Sequence, residues 1–167
     1  MADFIGEDTV NDSFAGTNEP DTAQGRGLND TLSGSLLNDT LEGNAGDDQL
    51  NGNQDDDLLK GGAGNDRFVY TALSDSTVSG AGKDTIADFS TGDRIDLSAI
   101  DADGNPSNGD TAFSFGTGDY TRHAGELRVV TYGQVQVVYV DVNGDKVSDL
   151  AINVTADHAL TASDFLL

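Results

Sequence analysis

The residues best suited to chemistry are aspartates, and their spacing is regular. From Glu7 the chain divides into seven blocks of nine: EDTVNDSFA, GTNEPDTAQ, GRGLNDTLS, GSLLNDTLE, GNAGDDQLN, GNQDDDLLK and GGAGNDRFV. The sixth position is Asp in every block: Asp12, Asp21, Asp30, Asp39, Asp48, Asp57 and Asp66. Glycine opens six of them (Gly16, Gly25, Gly34, Gly43, Gly52, Gly61), and the eighth position is always apolar. Carboxylates in columns are hard oxygen ligands, which direct the chemistry toward a hard cation. The chain has no cysteine, which excludes thiolate zinc sites, disulfides and thiol catalysis. Its two histidines, His123 and His158, stand in dissimilar segments, and no H-E-x-x-H, G-x-S-x-G or P-loop pattern occurs. No catalytic residue is assigned.

The elements that position such columns follow from the period. A helix needs a repeat near 3.6, and a glycine in each block would weaken it by about 1 kcal/mol per site. Nine residues instead suit a six-residue turn, Gly-x-x-x-x-Asp, followed by a three-residue strand with one inward apolar side chain. Two blocks make one coil of eighteen residues. Phe14, Leu32, Leu50 and Phe68 then line one sheet, and Ala23, Leu41 and Leu59 the opposing one. The expected fold is all-β, a right-handed parallel β-roll.

Its seam is narrow. A buried Leu-sized side chain contributes about 1.5–3 kcal/mol, against about 1–2 kcal/mol of backbone entropy per ordered residue. Stacked carboxylates worsen the balance by repulsion, and a cation between turns reverses the sign of that contribution. Calcium fits best, because it accepts six to eight oxygens in flexible geometry, whereas magnesium demands an octahedral site and keeps its waters. The alternative is a solvated acidic loop array without metal.

The 167 residues carry 8 Lys+Arg against 30 Asp+Glu, a net charge of −22. That charge argues against nucleic acid or an anionic membrane as a direct partner. No apolar run approaches the ~18 residues of a membrane span, and MADFIGEDTV has neither the basic start nor the apolar stretch of a secretory leader. Residues 1–59 hold one base, Arg26, and fourteen acids. The expected organisation is a roll over 1–69, with an N-terminal cap in 1–6, and a β-rich cap over 70–167 in which the nine-residue register stops. Strand-like segments in the cap are Asp84–Phe89, Asp93–Ser98, Ala112–Phe115, Glu126–Tyr132, Gln134–Val140 and Lys146–Val154. The last two read as a hairpin turning at Asn143-Gly144. Asp141-Val-Asn143-Gly-Asp145 partly imitates a calcium loop, but lacks the following Gly and the twelfth-position Glu, so a turn is preferred. The stretch Asp101–Pro106 reads as a polar loop.

GGAGNDRFV, and nearly so GNAGDDQLN, resembles the Gly-Gly-x-Gly-x-Asp-x-apolar-x nonapeptide of the RTX (repeats-in-toxin) calcium-binding β-roll family. The best-matching turns make Asp48 with Asp66 the expected strongest pair, with Gly43, Asn44 and Gly46 of one turn and Gly61, Gly62 and Gly64 of the next. Asp39 with Asp57, and Asp30 with Asp48, follow. Fourth-position Val10, Glu19, Leu28, Leu37 and Asp55 depart from the pattern, and sites using Asp12 or Asp21 are expected to be weak or vacant. The resemblance extends through SDSTVSGAGKDTIADFSTGDRIDLSAID to the end and looks like the C-terminal region of serralysin-type RTX proteins. It implies a secreted, extracellular bacterial protein that folds on meeting calcium outside the cell. It further implies export by a type I (ABC) secretion apparatus, with Asp164, Phe165, Leu166 and Leu167 resembling the family's terminal signal. A catalytic domain is expected to precede Met1 in a longer parent.

RTX modules also accompany alginate C-5 epimerases, which implies a second role, contact with an anionic polysaccharide. Lys60, Arg67, Lys83 and Arg94, with Arg122 and Arg128, are the cations to supply it if they converge. An ice-binding Thr array is a third option, but position seven reads Ser13, Thr22, Thr31, Thr40, Gln49, Leu58, Arg67 and the array fails.

Overall fold

Each coil places two strands on opposite walls, because an apolar side chain every nine residues can face inward only if the chain reverses once per block. In the computed structural model, residues 2–80, 82–105, 107 and 111–167 are described. One wall is the sheet β1 (Asp3–Ile5), β3 (Thr22–Gly27), β5 (Thr40–Ala45), β7 (Leu58–Ala63), β9 (Thr85–Phe89), β14 (Leu150–Ala156), β13 (Val135–Asp141), β12 (Glu126–Tyr132), β11 (Ser114–Gly116), in that order. The other runs β15 (Phe165–Leu166), β10 (Arg94–Asp96), β8 (Arg67–Val69), β6 (Gln49–Asn53), β4 (Thr31–Ser35), β2 (Ser13–Ala15). The fold is an all-β parallel roll with a β-rich cap.

The apolar columns fall where the period puts them. Phe14 pairs in register with Leu32, Leu32 with Leu50, and Leu50 with Phe68; Ala23 pairs with Leu41 and Leu41 with Leu59. All seven are buried in one continuous core. The central strands run to five or six residues rather than the expected three. Pairing resumes beyond the opening glycine of the next block, as in Arg26 with Asn44 and Gly27 with Ala45.

The expectation that the register stops after Val69 is corrected. Asp75, Asp84 and Asp93 continue the spacing of nine, and β9 and β10 extend both walls, Leu59 meeting Ile86 and Phe68 meeting Ile95. What changes is the phase. An uninterrupted coil would stack Asp84 on Asp66, eighteen residues earlier. Instead the amide of Asp57 donates to Asp84 Oδ1 (3.0 Å) and that of Asp66 to Asp93 Oδ1 (2.9 Å), both across 27 residues. The block from Tyr70 is looped out, held by Asp75 Oδ2 accepting from the amides of Thr71 and Ala72, and by Ser76 Oγ donating to Ala151 O (2.6 Å).

The cap closes both walls. β14 adds parallel to β9 and begins an antiparallel meander with β13 and β12, including the expected hairpin. The C-terminal strand β15 covers the free edge of β10, pairing Phe165 with Ile95. Asp141, the last residue of β13, reaches over the hairpin connection, its oxygens accepting from the amides of Gly144 (2.7 Å) and Lys146 (2.8 Å), so this loop is closed on itself. Of the Asp101–Pro106 loop, Pro106 lies outside the described residues.

Leu50 is fully buried between Leu32 and Phe68. Leu50→Ala is expected to lower unfolding free energy by about 2–5 kcal/mol, measured by denaturant titration in saturating calcium. A loss below about 0.5 kcal/mol, the range of surface changes, would mean that the seam carries little of the stability.

Candidate metal centre

The aspartates form two ladders, one along each edge. In the first, the amide of Asp12 donates to Asp30 Oδ1 (2.7 Å), Asp30 to Asp48 (2.7 Å) and Asp48 to Asp66 (3.0 Å). In the second, Asp21 donates to Asp39 (2.7 Å), Asp39 to Asp57 (2.7 Å) and Asp57 to Asp84 (3.0 Å). Each carboxylate thereby satisfies a backbone amide of the preceding coil with one oxygen. The other oxygen is the informative one. The Oδ2 atoms of Asp30, Asp39, Asp48, Asp57, Asp66 and Asp84 are buried and have no hydrogen-bond partner. An orphaned buried carboxylate oxygen is costly unless something positive meets it.

These oxygens are not alone. A Cβ built on Gly34 would lie 2.2 Å from Asp39 Oδ2 and 2.7 Å from the carbonyl oxygen of Gly52. One built on Gly43 would lie 2.2 Å from Asp48 Oδ2 and 2.7 Å from the Gly61 carbonyl. Carboxylate and carbonyl oxygens from successive coils therefore converge where a side chain would otherwise sit, which is why glycine opens the block. Among the described residues no three His, Cys, Asp or Glu side chains cluster. The donors come as a ladder of paired carboxylates with backbone carbonyls making up the number, an all-oxygen set of the kind calcium accepts.

Turn conformation decides which carboxylates stay open. Left-handed φ angles occur at the second and fourth positions of the turns that precede them: Arg26 and Leu28, Ser35 and Leu37, Asn44 and Gly46, Asn53 and Asp55, Gly62 and Gly64, and Gly80 and Gly82. Leu28, Leu37 and Asp55 adopt φ of 70°, 66° and 83°, whereas Gly46 and Gly64 sit at 135° and 148°, angles that only glycine adopts readily. Val10, Glu19, Thr71 and Leu73 are not left-handed. Their turns fold differently and capture their own carboxylates. Asp12 Oδ2 accepts from Glu7 N (2.6 Å), Asp21 Oδ2 from Thr17 N (2.6 Å) and Oγ1, and Asp75 Oδ2 from Thr71. Asp93 Oδ2 is taken likewise by Ser90.

Asp84 was not among the ligands read from the sequence. Its turn opens with Ser79 in place of glycine and follows the looped-out block, which disguises SGAGKDTIA as the end of the repeats. The signal lay in the glycines at positions two and four.

Burial raises the carboxyls of the open aspartates, and neighbouring carboxylates push the same way. Asp39 and Asp48 rise to about 6, Asp57 and Asp66 to about 7, and Asp84 to about 9; Asp30 is raised as well. At Asp21 burial also raises the carboxyl, but the amides of Ala2 and Thr17 and the Thr17 hydroxyl outweigh it, leaving it below the usual value.

The cations expected to meet a polysaccharide do not converge. Lys60 pairs with Glu42 (2.8 Å), Arg67 with Asp96, and Arg94 donates to its own Gly92 and Asp93 carbonyls. Lys83 lies 6.0 Å from the Tyr139 ring, and the Arg128 guanidinium is 4.3 Å from Tyr120 and 5.5 Å from Tyr139. Of the terminal residues, Asp164 is buried with Oδ2 accepting from Thr161, and Phe165 packs on Phe115 with ring centroids 5.7 Å apart. Leu166 accepts at its carbonyl from Leu97 N (2.9 Å). His158 bridges Asp157 (2.5 Å) and Asp164 (3.4 Å) beside Phe89, a packing role, and His123 is an exposed partner of Thr121.

A parallel roll whose edges are ladders of half-open carboxylates defines a class of acidic repeat modules. Residues 7–167 match the family described as Peptidase M10 serralysin C terminal, and the chain belongs to that family. Two solved structures are similar. The AlgE6R3 subunit of the Azotobacter vinelandii mannuronan C5-epimerase is 25% identical, with 96% of this chain and 82% of that one covered at a TM-score of 0.64. The AlgE6R2 subunit of the same enzyme is 26% identical, with 86% and 90% covered at a TM-score of 0.58. No curated protein matches the chain.

The raised carboxyls set the pH response of the metal-free chain. A folded-state pKa above the unfolded value, near 3.8, gives stability that is present below that value and lost as pH rises through the folded one. In chelator, strand circular dichroism is therefore expected to fall as pH rises through about 6 to about 9. A chelated chain whose strand content climbs over that interval would contradict the assignment of buried, uncompensated carboxylates.

Proposed function

We propose that this chain is a non-catalytic calcium-binding module of a secreted bacterial protein, which folds outside the cell when its carboxylate ladders are neutralised. The observation that carries the reading is the set of six buried Oδ2 atoms without partners, five of them preceded by a turn that brings glycine close to the carboxylate. Asp30, Asp39, Asp48, Asp57 and Asp66 are the proposed carboxylate ligands. Gly43, Asn44, Gly46, Gly61, Gly62 and Gly64 form the turns with the least backbone strain. Calcium supplies the positive charge that lets successive carboxylates stack.

Without it the ladder residues repel one another and the chain stays extended, in the state a type I apparatus can thread. The resemblance of Asp164–Leu167 to the serralysin-type terminal signal supports that export route. Binding energy at the ladders is then folding energy. Extracellular modules bind at about 10⁻⁴–10⁻³ M, a range suited to filling outside the cell. The expected parent is an extracellular enzyme whose catalytic domain this module accompanies.

A second reading, contact with an anionic polysaccharide, is favoured by Lys83 and Arg128 each lying near the Tyr139 ring on a strongly acidic chain, and by the likeness to epimerase subunits. A uronate carboxylate suits the cations, and a sugar ring suits the tyrosine face. NMR shift mapping with mannuronate oligomers is expected to move Lys83, Arg128 and Tyr139 signals first. Unmoved signals at saturating ligand would remove this reading and leave the calcium one intact.

For the main reading, a calcium titration by circular dichroism is expected to take the chain from unfolded in chelator to strand-rich. Asp48→Asn should shift the midpoint to at least severalfold higher calcium, whereas Asp12→Asn, at a carboxylate already taken by Glu7, should shift it little. Complete strand signal in chelator at pH 8 would sink the calcium-dependent fold.

A further inference from the structure

The last strand is fastened at one charged point, where His158 does more than pack. β15 follows directly on the turn Ala162–Asp164, and the Asp164 side chain in that turn is 9% exposed. One of its carboxylate oxygens, Oδ2, accepts from the amide and the hydroxyl of Thr161 (2.7 and 3.0 Å). The other, Oδ1, faces His158 Nε2 at 3.4 Å, while Nδ1 of the same ring lies 2.5 Å from Asp157 Oδ1. The imidazole therefore stands between two carboxylates, one nitrogen turned to each. A neutral imidazole carries a single N–H, so it can donate to only one of them and must turn a lone pair on the other. The imidazolium alone satisfies both.

We infer that His158 is a proton-controlled latch on the C-terminal strand: its charged ring ties Asp164 to Asp157, and loss of the proton loosens β15 from β10. The other groups around the ring carry no charge of their own. β9 contributes the Phe89 ring, with centroids 5.9 Å apart. β13 contributes Gln136, which donates to the His158 carbonyl (2.7 Å) and accepts from Leu160 N (2.8 Å), fixing the backbone beside the ring at any pH. From the connection between β9 and β10, Asp93 feels the charge of Asp157. Both carboxylates that flank the ring are ionised at neutral pH. His158 lowers Asp157, and at Asp164 the bonds from Thr161 and His158 outweigh burial. In return Asp157 first, and Asp164 after it, hold the ring's proton above the ordinary histidine range, against the opposing effect of burial. Stability from such a raised group is fully present below the unfolded value of about 6.5 and is lost as pH rises through the folded one. The ring lines an open surface pocket with Thr131, Gln134 and Thr155, so solvent protons reach it. The latch stands on the cap alone and does not depend on the ladders.

Amide hydrogen exchange of the folded chain in saturating calcium, followed by NMR, reads the latch. Leu97 N donates to Leu166 O (2.9 Å) and so reports β15 on β10, whereas Arg94 N donates to Asp66 O (2.8 Å) and reports β10 on the roll. The ratio of their exchange rates removes the base catalysis common to both. That ratio, Leu97 over Arg94, is expected to rise severalfold between about pH 6 and about pH 9, in step with the titration of the His158 ring signals. His158→Arg, which keeps the cation and removes the titration, should leave Leu97 protected throughout, and His158→Gln should leave it exchanging fast throughout. A ratio that stays flat while the ring titrates, a ring already neutral at the acidic end, or a wild-type pH profile retained in His158→Gln overturns the latch. Should a variant not fold, the wild-type ratio against the ring titration decides alone. The readout needs only the folded sheet, so its failure is distinct from failure of the calcium reading.

Discussion

The fold depends on one interaction, the hydrogen bond from a backbone amide to the carboxylate of the aspartate one coil later. It fixes the coil at eighteen residues more rigidly than the apolar seam does, because it uses one oxygen of every ladder carboxylate at about 2.7–3.0 Å. It also creates the problem that the rest of the structure answers. An aspartate placed to receive an amide from behind has its second oxygen pointing forward into the next turn, away from water. Burial of such an oxygen costs more than a Leu-sized side chain returns, so a column of them is stable only with positive charge between rungs, or with protons.

Closed rungs show the other way to meet that cost. Where a hydroxyl residue stands three or four positions before the aspartate, the hydroxyl and its amide take the free oxygen, as Thr17 does for Asp21, Ser90 for Asp93 and Thr161 for Asp164. Two turn chemistries thus divide one repeat into open and closed rungs: the first ladder begins and ends on closed ones, Asp12 and Asp93, whereas the second begins on closed Asp21 and ends on open Asp84. A closed rung needs no ion.

The parallel roll, its two apolar columns and the pairing of carboxylates eighteen apart were legible in the sequence, because period and residue type pointed the same way at every block. The cap strands were legible too, from alternation between turn residues. Two things were not. Glycine at the first position was read as the mark of a repeat, so a block that opens with Tyr70 and one that opens with Ser79 passed for the end of the coil. The phase slip that moves Asp84 from the Asp66 ladder to the Asp57 ladder depends on tertiary anchors, Ser76 on Ala151 and Tyr70 N on Asp96 O (2.9 Å), which no local pattern encodes. The fate of the cations was likewise hidden. Lys60 meets Glu42 only because eighteen residues bring ninth positions side by side, and that pairing follows from the coil rather than from neighbouring sequence.

The proposed export and the proposed ion dependence are joined by the position of the last residues. Phe165 and Leu166 are not a tail beyond the fold. They are a strand of it, with Phe165 buried against Phe115 and Asp164 locked by Thr161 and His158. An apparatus that reads Asp164–Leu167 needs the side chains that the folded domain uses to cover β10, so reading and folding exclude each other. On the proposed reading, a chain held open by its own carboxylates keeps those residues exposed until calcium fills the ladders. In the folded chain they lie in the sheet, and the edge of β10 that would otherwise invite pairing with another chain is closed.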